Sequence, residues 1–249
     1  MRLVSSNLFF DRIKEMIKLK VRLTNVSAFR IGTGEPGVSP TEPDNMVIKY
    51  NGKPFIPGSS LKGIFRSTVE SLYREKSPEN GRPFVCEGTS GGEFCVDPKN
   101  RKDSTTEEDW EKEVAQNACY TCLLFGNSAI SSRIFFSDAM PVNEAKVSVR
   151  DGVMIRRDTE TAMEGRKYDY EVTNPGAAFE FEIEIINPLK PHIEMVKNVL
   201  RLMNMGYVRI GGNKSRGLGR FKAEIISAER LTVENGEVKL SKLEGWNDV

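Results

Sequence analysis

The sequence predicts an α+β fold, and three observations carry that prediction. Strand-like alternation occurs near both ends of the chain, two strongly amphipathic helices lie between such segments, and no internal repeat or low-complexity tract interrupts them. Leu19, Val21 and Leu23 alternate with polar residues in a first strand expected to end near Phe29-Arg30-Ile31. Met46 to Tyr50 reads as a short strand. The rigid Pro54-Phe55-Ile56-Pro57-Gly58 turn then leads into a helix from Ser59 to about Lys76, with Ser59 or Ser60 as its cap and Leu61, Ile64, Phe65, Val69, Leu72 and Tyr73 as its apolar stripe.

Ile134 to Met140 is a further strand. Phe179, Phe181, Ile183 and Ile185 alternate with Glu180, Glu182 and Glu184, as expected of an edge or half-buried strand with one solvated face. Pro191 to Met205 is the second helix, ended by Gly206. Phe221 to Ile226 alternates again, and Asn235-Gly236 between Leu231-Thr232-Val233 and Val238-Lys239-Leu240 signals a tight hairpin. A β-α-β…β-α-β order of this length fits a ferredoxin-like, RRM-related core carrying large insertions.

At 249 residues, 39% hydrophobic and 29% charged, the chain can bury a substantial core. Leu8-Phe9-Phe10 is too short for a signal-peptide core or a membrane span, so the expected location is cytoplasmic, with no membrane partner.

Net charge is only +1, yet the stretch from Arg209 to Lys222 holds five Lys or Arg residues and no acid. Its core, Ile210-Gly211-Gly212-Asn213-Lys214-Ser215-Arg216-Gly217-Leu218-Gly219, fits neither the P-loop register nor the dinucleotide-binding register. Local basicity on glycine-rich backbone points to a groove for a polyanion; a glycine-rich hairpin with solvated cations is the alternative. The start of the first helix, with its free N–H groups, Ser59, Ser60 and Lys62, is a second candidate anion site.

Cys86, Cys95, Cys119 and Cys122 are the only four cysteines. The closing C-x-x-C pair and the clustering predict one tetrahedral structural zinc site, with two disulfides or four unrelated thiols as alternatives. Between the pairs, Asp103 to Glu113 holds six acids against one Lys, an arm expected to face solvent or a protein neighbour. The single histidine, His192, follows Pro191 at a helix start and is expected to be a surface or cap residue.

The blocks PFIPGSSLKG and RIGGNKSRGLGRF, in this order and separation, resemble the RAMP superfamily of CRISPR-associated proteins. PDNMVIKYNGK around Asp44, GVMIRRDTETAMEGRKYDYEV from Gly152 and FEFEIEI from Phe179 extend the resemblance from about Lys18 to Ile226 and bring it closest to the repeating backbone subunits of type III effector complexes. The resemblance implies one RAMP domain over residues 1–249 and a thumb-like hairpin at 149–172; the cysteines themselves mark the expected zinc-binding insertion at 81–126. It implies CRISPR RNA, target RNA, other effector subunits and further copies of the same chain as partners.

RNA-binding positions would be Ser59, Ser60, Lys62, Arg66, Arg156, Arg157, Gly211, Gly212, Lys214, Arg216, Gly217 and Gly219. In the thumb, Met154, Ile155, Arg156, Arg157, Thr159, Thr161 and Met163 would line a kink in the guide–target duplex; a mobile surface loop is the alternative reading of this segment. Asp44 stands where catalytic members of the family keep the aspartate that supports metal-dependent cleavage of target RNA, so Mg²⁺ is the implied cofactor there. An aspartate capping a turn is the alternative, Glu35 and Glu42 compete for the role, and a non-catalytic RNA-binding scaffold is the other functional expectation.

Overall fold

The structure is a computed structural model and describes residues 12–34, 43–88, 94–102 and 104–246. Its elements are β1 (Glu15–Asn25), β2 (Lys49–Tyr50), β3 (Lys53–Pro54), α1 (Gly58–Tyr73), α2 (Glu107–Asn117), α3 (Tyr120–Phe125), β4 (Ile134–Phe136), β5 (Met140–Pro141), β6 (Val147–Ile155), β7 (Ala162–Thr173), β8 (Ala178–Ile186), α4 (Lys190–Asn204), β9 (Phe221–Glu234) and β10 (Glu237–Lys242). Glu35 and Glu42, and Asp103 of the acidic arm, lie outside the described residues.

Six strands form the main antiparallel sheet in the order β10-β9-β1-β8-β4, with β5 also paired to β8. Alternation dictates its two faces. Ile17, Leu19, Val21 and Leu23 of β1 and Phe179, Phe181, Ile183 and Ile185 of β8 point inward, where Leu61, Phe65 and Val69 of α1 and Val196, Val199, Leu200 and Met203 of α4 close one core over them. On the opposite face Lys18 pairs with Glu182 at 2.8 Å, Lys20 with Glu180 at 2.8 Å and Arg22 with Glu180 at 2.6 Å. β8 is therefore an interior strand between β1 and β4, not an edge, and its glutamates serve as rungs of a charge ladder.

Two local expectations are corrected. Neither Ser59 nor Ser60 caps α1; the helix begins at Gly58, whose N–H donates to the Asp138 carboxylate at 2.7 Å. A Cβ on Gly58 would stand 2.5 Å from the Phe136 carbonyl oxygen, so only glycine lets the helix start this close to β4. His192 is a cap residue of α4, as one of its two expected readings had it, but it is not on the surface. It is wholly buried, its Nδ1 accepts the Leu189 N–H at 3.2 Å, and burial, together with Arg133 and Arg82, holds its pKa down at about 3.

α1 ends at Tyr73, short of Lys76, and β1 ends at Asn25, with the chain regaining register only as a bridge from Phe29 to Thr173. The expected strand from Ile134 to Met140 is split into β4 and β5 at Ser137–Ala139. Asn235 (φ 53°) and Gly236 (φ 83°) make the β9–β10 turn as their sequence demands. Among the described residues no helix is long and apolar enough to cross a membrane.

Candidate functional site

The glycine-rich segment lies between α4 and β9 and folds back on the chain leaving β1. Gly212 N–H donates to the Arg30 carbonyl at 2.8 Å and Gly219 N–H to the Ala28 carbonyl at 2.9 Å. The glycines divide into two kinds. A Cβ on Gly211 would meet the Arg30 oxygen at 2.1 Å, and one on Gly219 would meet the Ile210 oxygen at 2.3 Å; both residues have positive φ, so these two serve the fold. Gly212 and Gly217 are exposed; Gly217 has open space around it, and Gly212 has only the Arg30 oxygen at 4.0 Å.

Between them, Lys214–Arg216 forms a single 3₁₀ turn entered and left through left-handed residues, Asn213 (φ 55°) and Gly217 (φ 85°). Lys214 and Arg216 are exposed, as are Arg220 and Lys222, and among the described residues none of these cations forms an ion pair with a carboxylate.

Beside the loop rises the two-stranded β6–β7 hairpin, whose far half is exposed. Val153 is 47%, Met154 50% and Ile155 56% accessible, and Arg156 and Arg157 stand at the tip, Arg156 facing Asp158 at 3.4 Å. The base is anchored. Tyr168 and Tyr170, on one side of β7, stack with centroids 6.0 Å apart; Arg30 lies 6.0 Å from the Tyr170 ring, and the Arg216 guanidinium donates to the Tyr168 hydroxyl. This relay joins hairpin, β1 exit and glycine loop. Sequence reading missed Arg30, Tyr168 and Tyr170, although the period of two in Tyr168-Asp169-Tyr170 signals two rings on one face.

The segment bearing Asp44 is laced to the same hairpin. Asp44 N–H donates to Asp169 Oδ1 at 2.7 Å, and Asp169 N–H donates to Asp44 Oδ2 at 3.1 Å. Next to them the Glu171 carboxylate accepts from Val47 N–H at 2.9 Å and from Lys49 Nζ at 2.8 Å. Asp44 is exposed and is held against the middle of β7 at Asp169, the residue between Tyr170 and the Tyr168 that receives Arg216.

The other expected RNA contacts fare differently. Ser59 is exposed and Ser60 half-buried at the first turn of α1, and Lys62 is half-buried, its pKa lowered by burial and then by Arg66. Arg66 is engaged within the protein: its Nε binds Glu70 at 2.8 Å and its Nη1 binds the Gly126 carbonyl at 2.8 Å. Its planar fork closes the turn after α3. The Asp138 carboxylate already occupies the first N–H of α1, which reduces the helix start as an anion site.

On the far side of the core the four cysteine Sγ atoms all lie within 4.8 Å of one another and could hold one metal ion. None is in a disulfide, and Cys86 Sγ stands 3.6 Å from Cys122 Sγ. Cys119 N–H points at the Cys95 sulfur at 3.3 Å and Cys122 N–H at the Cys119 sulfur at 3.3 Å. Hydrogen bonds from Cys119, Cys122 and Cys95 pull the Cys86 thiol far below its ordinary range. Bonds from Cys119 and Cys122 bring Cys95 to about 7, while Cys119, Cys86 and Cys95 together push Cys122 far up. Charge on one sulfur opposes charge on the next, the situation a shared cation relieves. Val96, Val114, Ala118 and Leu123 form a small core beneath the site.

An antiparallel sheet backed by two helices, with a glycine-rich cationic loop beside a long hairpin, is matched by a family profile over residues 22–222, and the chain belongs to the RAMP superfamily. Among characterised proteins it is similar to the CRISPR system Cms endoribonuclease Csm3 of Streptococcus thermophilus. The two are 24% identical over 233 residues, spanning 85% of this chain and 89% of that protein.

Proposed function

We propose that this protein is a backbone subunit of a type III CRISPR effector complex, binding the CRISPR RNA backbone through the glycine-rich loop and cleaving complementary target RNA through Asp44. The observation that supports the reading is that Asp44 and the cationic glycine loop are bonded to adjacent residues of β7, Asp44 to Asp169 and Arg216 to Tyr168. The core order β1-α1-β4-β8-α4-β9, with spatial order β9-β1-β8-β4, reads as ferredoxin-like. RRM-type sheets bind RNA on aromatic strand faces. Here that face is the Lys–Glu ladder, so binding moves to the edge where Lys214, Arg216, Gly212 and Gly217 stand, with Ser59, Ser60 and Lys62 on the neighbouring helix start. Such contacts read phosphate and not base edges, as a guide of arbitrary sequence requires. The hairpin is the thumb, its apolar tip residues set against bases and Arg156 and Arg157 against phosphates. The complex would assemble in the cytoplasm, with copies of the chain side by side on the guide.

Asp44 and Asp169 supply oxygen donors suited to a hard cation, and Mg²⁺ bound there would polarise the scissile phosphate. Asp169 holds the Asp44 backbone, which fixes where the carboxylate points. Asp44→Asn keeps the acceptor for Asp169 N–H and removes the charge. In an assembled complex it should leave RNA affinity within about twofold and lower target cutting by at least about a hundredfold. Undiminished cutting would exclude Asp44 as the catalytic carboxylate. A second reading, the non-catalytic scaffold, is favoured by the same hydrogen bonds, because they give Asp44 a structural task; a wild-type complex that never cuts complementary RNA would select it.

The cysteine cluster we assign to a structural zinc ion. A tetrahedron with Zn–S of ~2.3 Å has S–S edges of ~3.8 Å, close to the Cys86–Cys122 separation of 3.6 Å. Elemental analysis should find about one zinc per chain, and Cys119→Ser should lose the metal and lower the melting temperature. Metal-free protein of unchanged stability would remove the assignment.

A further inference from the structure

A trough runs between the outward face of α1 and the end of α4, sharing only Lys214 and Ser215 with the glycine loop. Its larger cavity, about 540 Å³, has Ile64, Leu72, Leu202 and Val208 as floor and Arg209 and Lys214 at the rim. A second cavity of about 380 Å³ continues it along the same helices, sharing Leu72 and Leu202 and adding Lys76 and Arg201. The residues lining the two include four cations and no carboxylate.

Tyr207 stands at the mouth, 78% accessible. Its backbone is fixed: Gly206 N–H donates to the Met203 carbonyl at 2.9 Å and Tyr207 N–H to the Leu202 carbonyl at 3.0 Å, the paired bonds of a Schellman helix end. In that arrangement the residue after glycine usually folds onto the last turn. Here the ring is left in solvent above an apolar floor. Arg209 is in turn held to the loop by its bond to the Lys214 carbonyl, and Ser67, Thr68 and Ser71 of α1 place hydroxyls along the opposite wall.

An exposed ring on rigid backbone, beside cations without acidic partners and open to the glycine loop, is how proteins hold unpaired nucleotides. We propose that this trough takes one unpaired nucleotide of a single-stranded RNA, its base against the Tyr207 ring and its phosphate on Lys214 and Arg209. The inference rests on the RNA-binding reading of the loop, since Lys214 and Ser215 line both. An acid-free lining with one exposed aromatic suits a nucleotide better than the apolar side chains of a protein partner.

The test measures binding of the full chain to a single-stranded oligoribonucleotide of about ten residues carrying 2-aminopurine, over a range of salt. Tyr207→Ala should weaken binding about tenfold with an unchanged salt slope and abolish quenching of the 2-aminopurine, while Tyr207→Phe stays within about twofold of the parent. Lys214→Ala with Arg216→Ala should instead reduce the salt slope. Parental affinity and quenching in Tyr207→Ala, with the double variant weakened, would overturn the trough and leave the loop reading standing. The same outcome with Tyr207→Ala sedimenting as a smaller species than the parent would mark the trough as a protein-docking face, which also overturns it. If the double variant binds as well as the parent, the loop reading fails too.

Discussion

The outer face of the sheet and the glycine-rich loop both present a row of cations, and they differ in what stands opposite. Lys18, Lys20 and Arg22 each have a glutamate of β8 within reach, the shortest contact being 2.6 Å, whereas Lys214, Arg216, Arg220 and Lys222 have none among the described residues. Counting Lys and Arg cannot tell these surfaces apart. The ladder neutralises itself across neighbouring strands, and the loop leaves its field for a ligand. A chain of net charge +1 can in this way present one strongly basic place.

The largest effect should come from breaking the frame that holds the unpaired row. Gly211→Ala combines a positive φ with a Cβ placed 2.1 Å from the Arg30 oxygen and should cost about 3 kcal/mol in denaturant unfolding, while Gly212→Ala should cost under about 1 kcal/mol. Equal costs would mean that the loop is not seated on Arg30. Next in size, Lys214→Ala with Arg216→Ala should lower affinity for unrelated single-stranded RNAs by roughly thirtyfold at low salt and reduce the slope of log K against log salt by about 1.4. Lys20→Ala with Arg22→Ala should change RNA affinity less than about twofold. A large loss in the second pair would dissolve the contrast between the two surfaces.

An effect confined to acid pH belongs to a third group of cations, at the junction of α3, β4 and α4. Arg133 is 1% accessible and gives its Nη1 to the Asn187 carbonyl at 2.7 Å, and burial, followed by Arg82, lowers its pKa to about 10, so it stays charged at neutral pH. Burial, and after it the charges of Arg133 and Arg82, keep His192 neutral, its ring lying edge-on to Tyr120. Because its folded pKa of about 3 lies below the unfolded value of 6.5, its contribution is complete above pH ~6.5 and is lost as pH falls toward 3. At pH 5 the loss should be about 2 kcal/mol. Thermal unfolding from pH 7 to 5 should show a fall that His192→Gln makes shallower; identical pH profiles would detach the effect from this residue.

Elements set by local chemistry were legible in the sequence. The stripe of α1, the alternation of β8, Gly206 after α4 and Asn235-Gly236 each specify their structure within a few residues. What depended on distant partners was not. Asp138 caps α1 from 80 residues away, a bond that no local pattern announces, and so Ser59 and Ser60 took that role in the sequence reading. That His192 is a buried cap and not a surface residue follows only from distant neighbours such as Tyr120 and Arg133. At the site, the basic loop was visible as composition, but Arg66 was not separable from Lys62 because its partner Gly126 lies on another element. The relay through Arg30, Tyr170, Tyr168 and Arg216 joins three segments that only the fold brings together.

The two cysteine pairs also have a meaning for how this chain can vary. Cys95 and Cys119 meet in space, with Cys119 N–H 3.3 Å from the Cys95 sulfur, so the 23 residues between them form a closed loop with both ends clamped. For such a loop, added length costs little: doubling it raises the closure entropy by only about 0.6 kcal/mol. An insertion at the exposed start of α2, near Ser104–Thr106, should therefore lower stability little and leave RNA affinity unchanged.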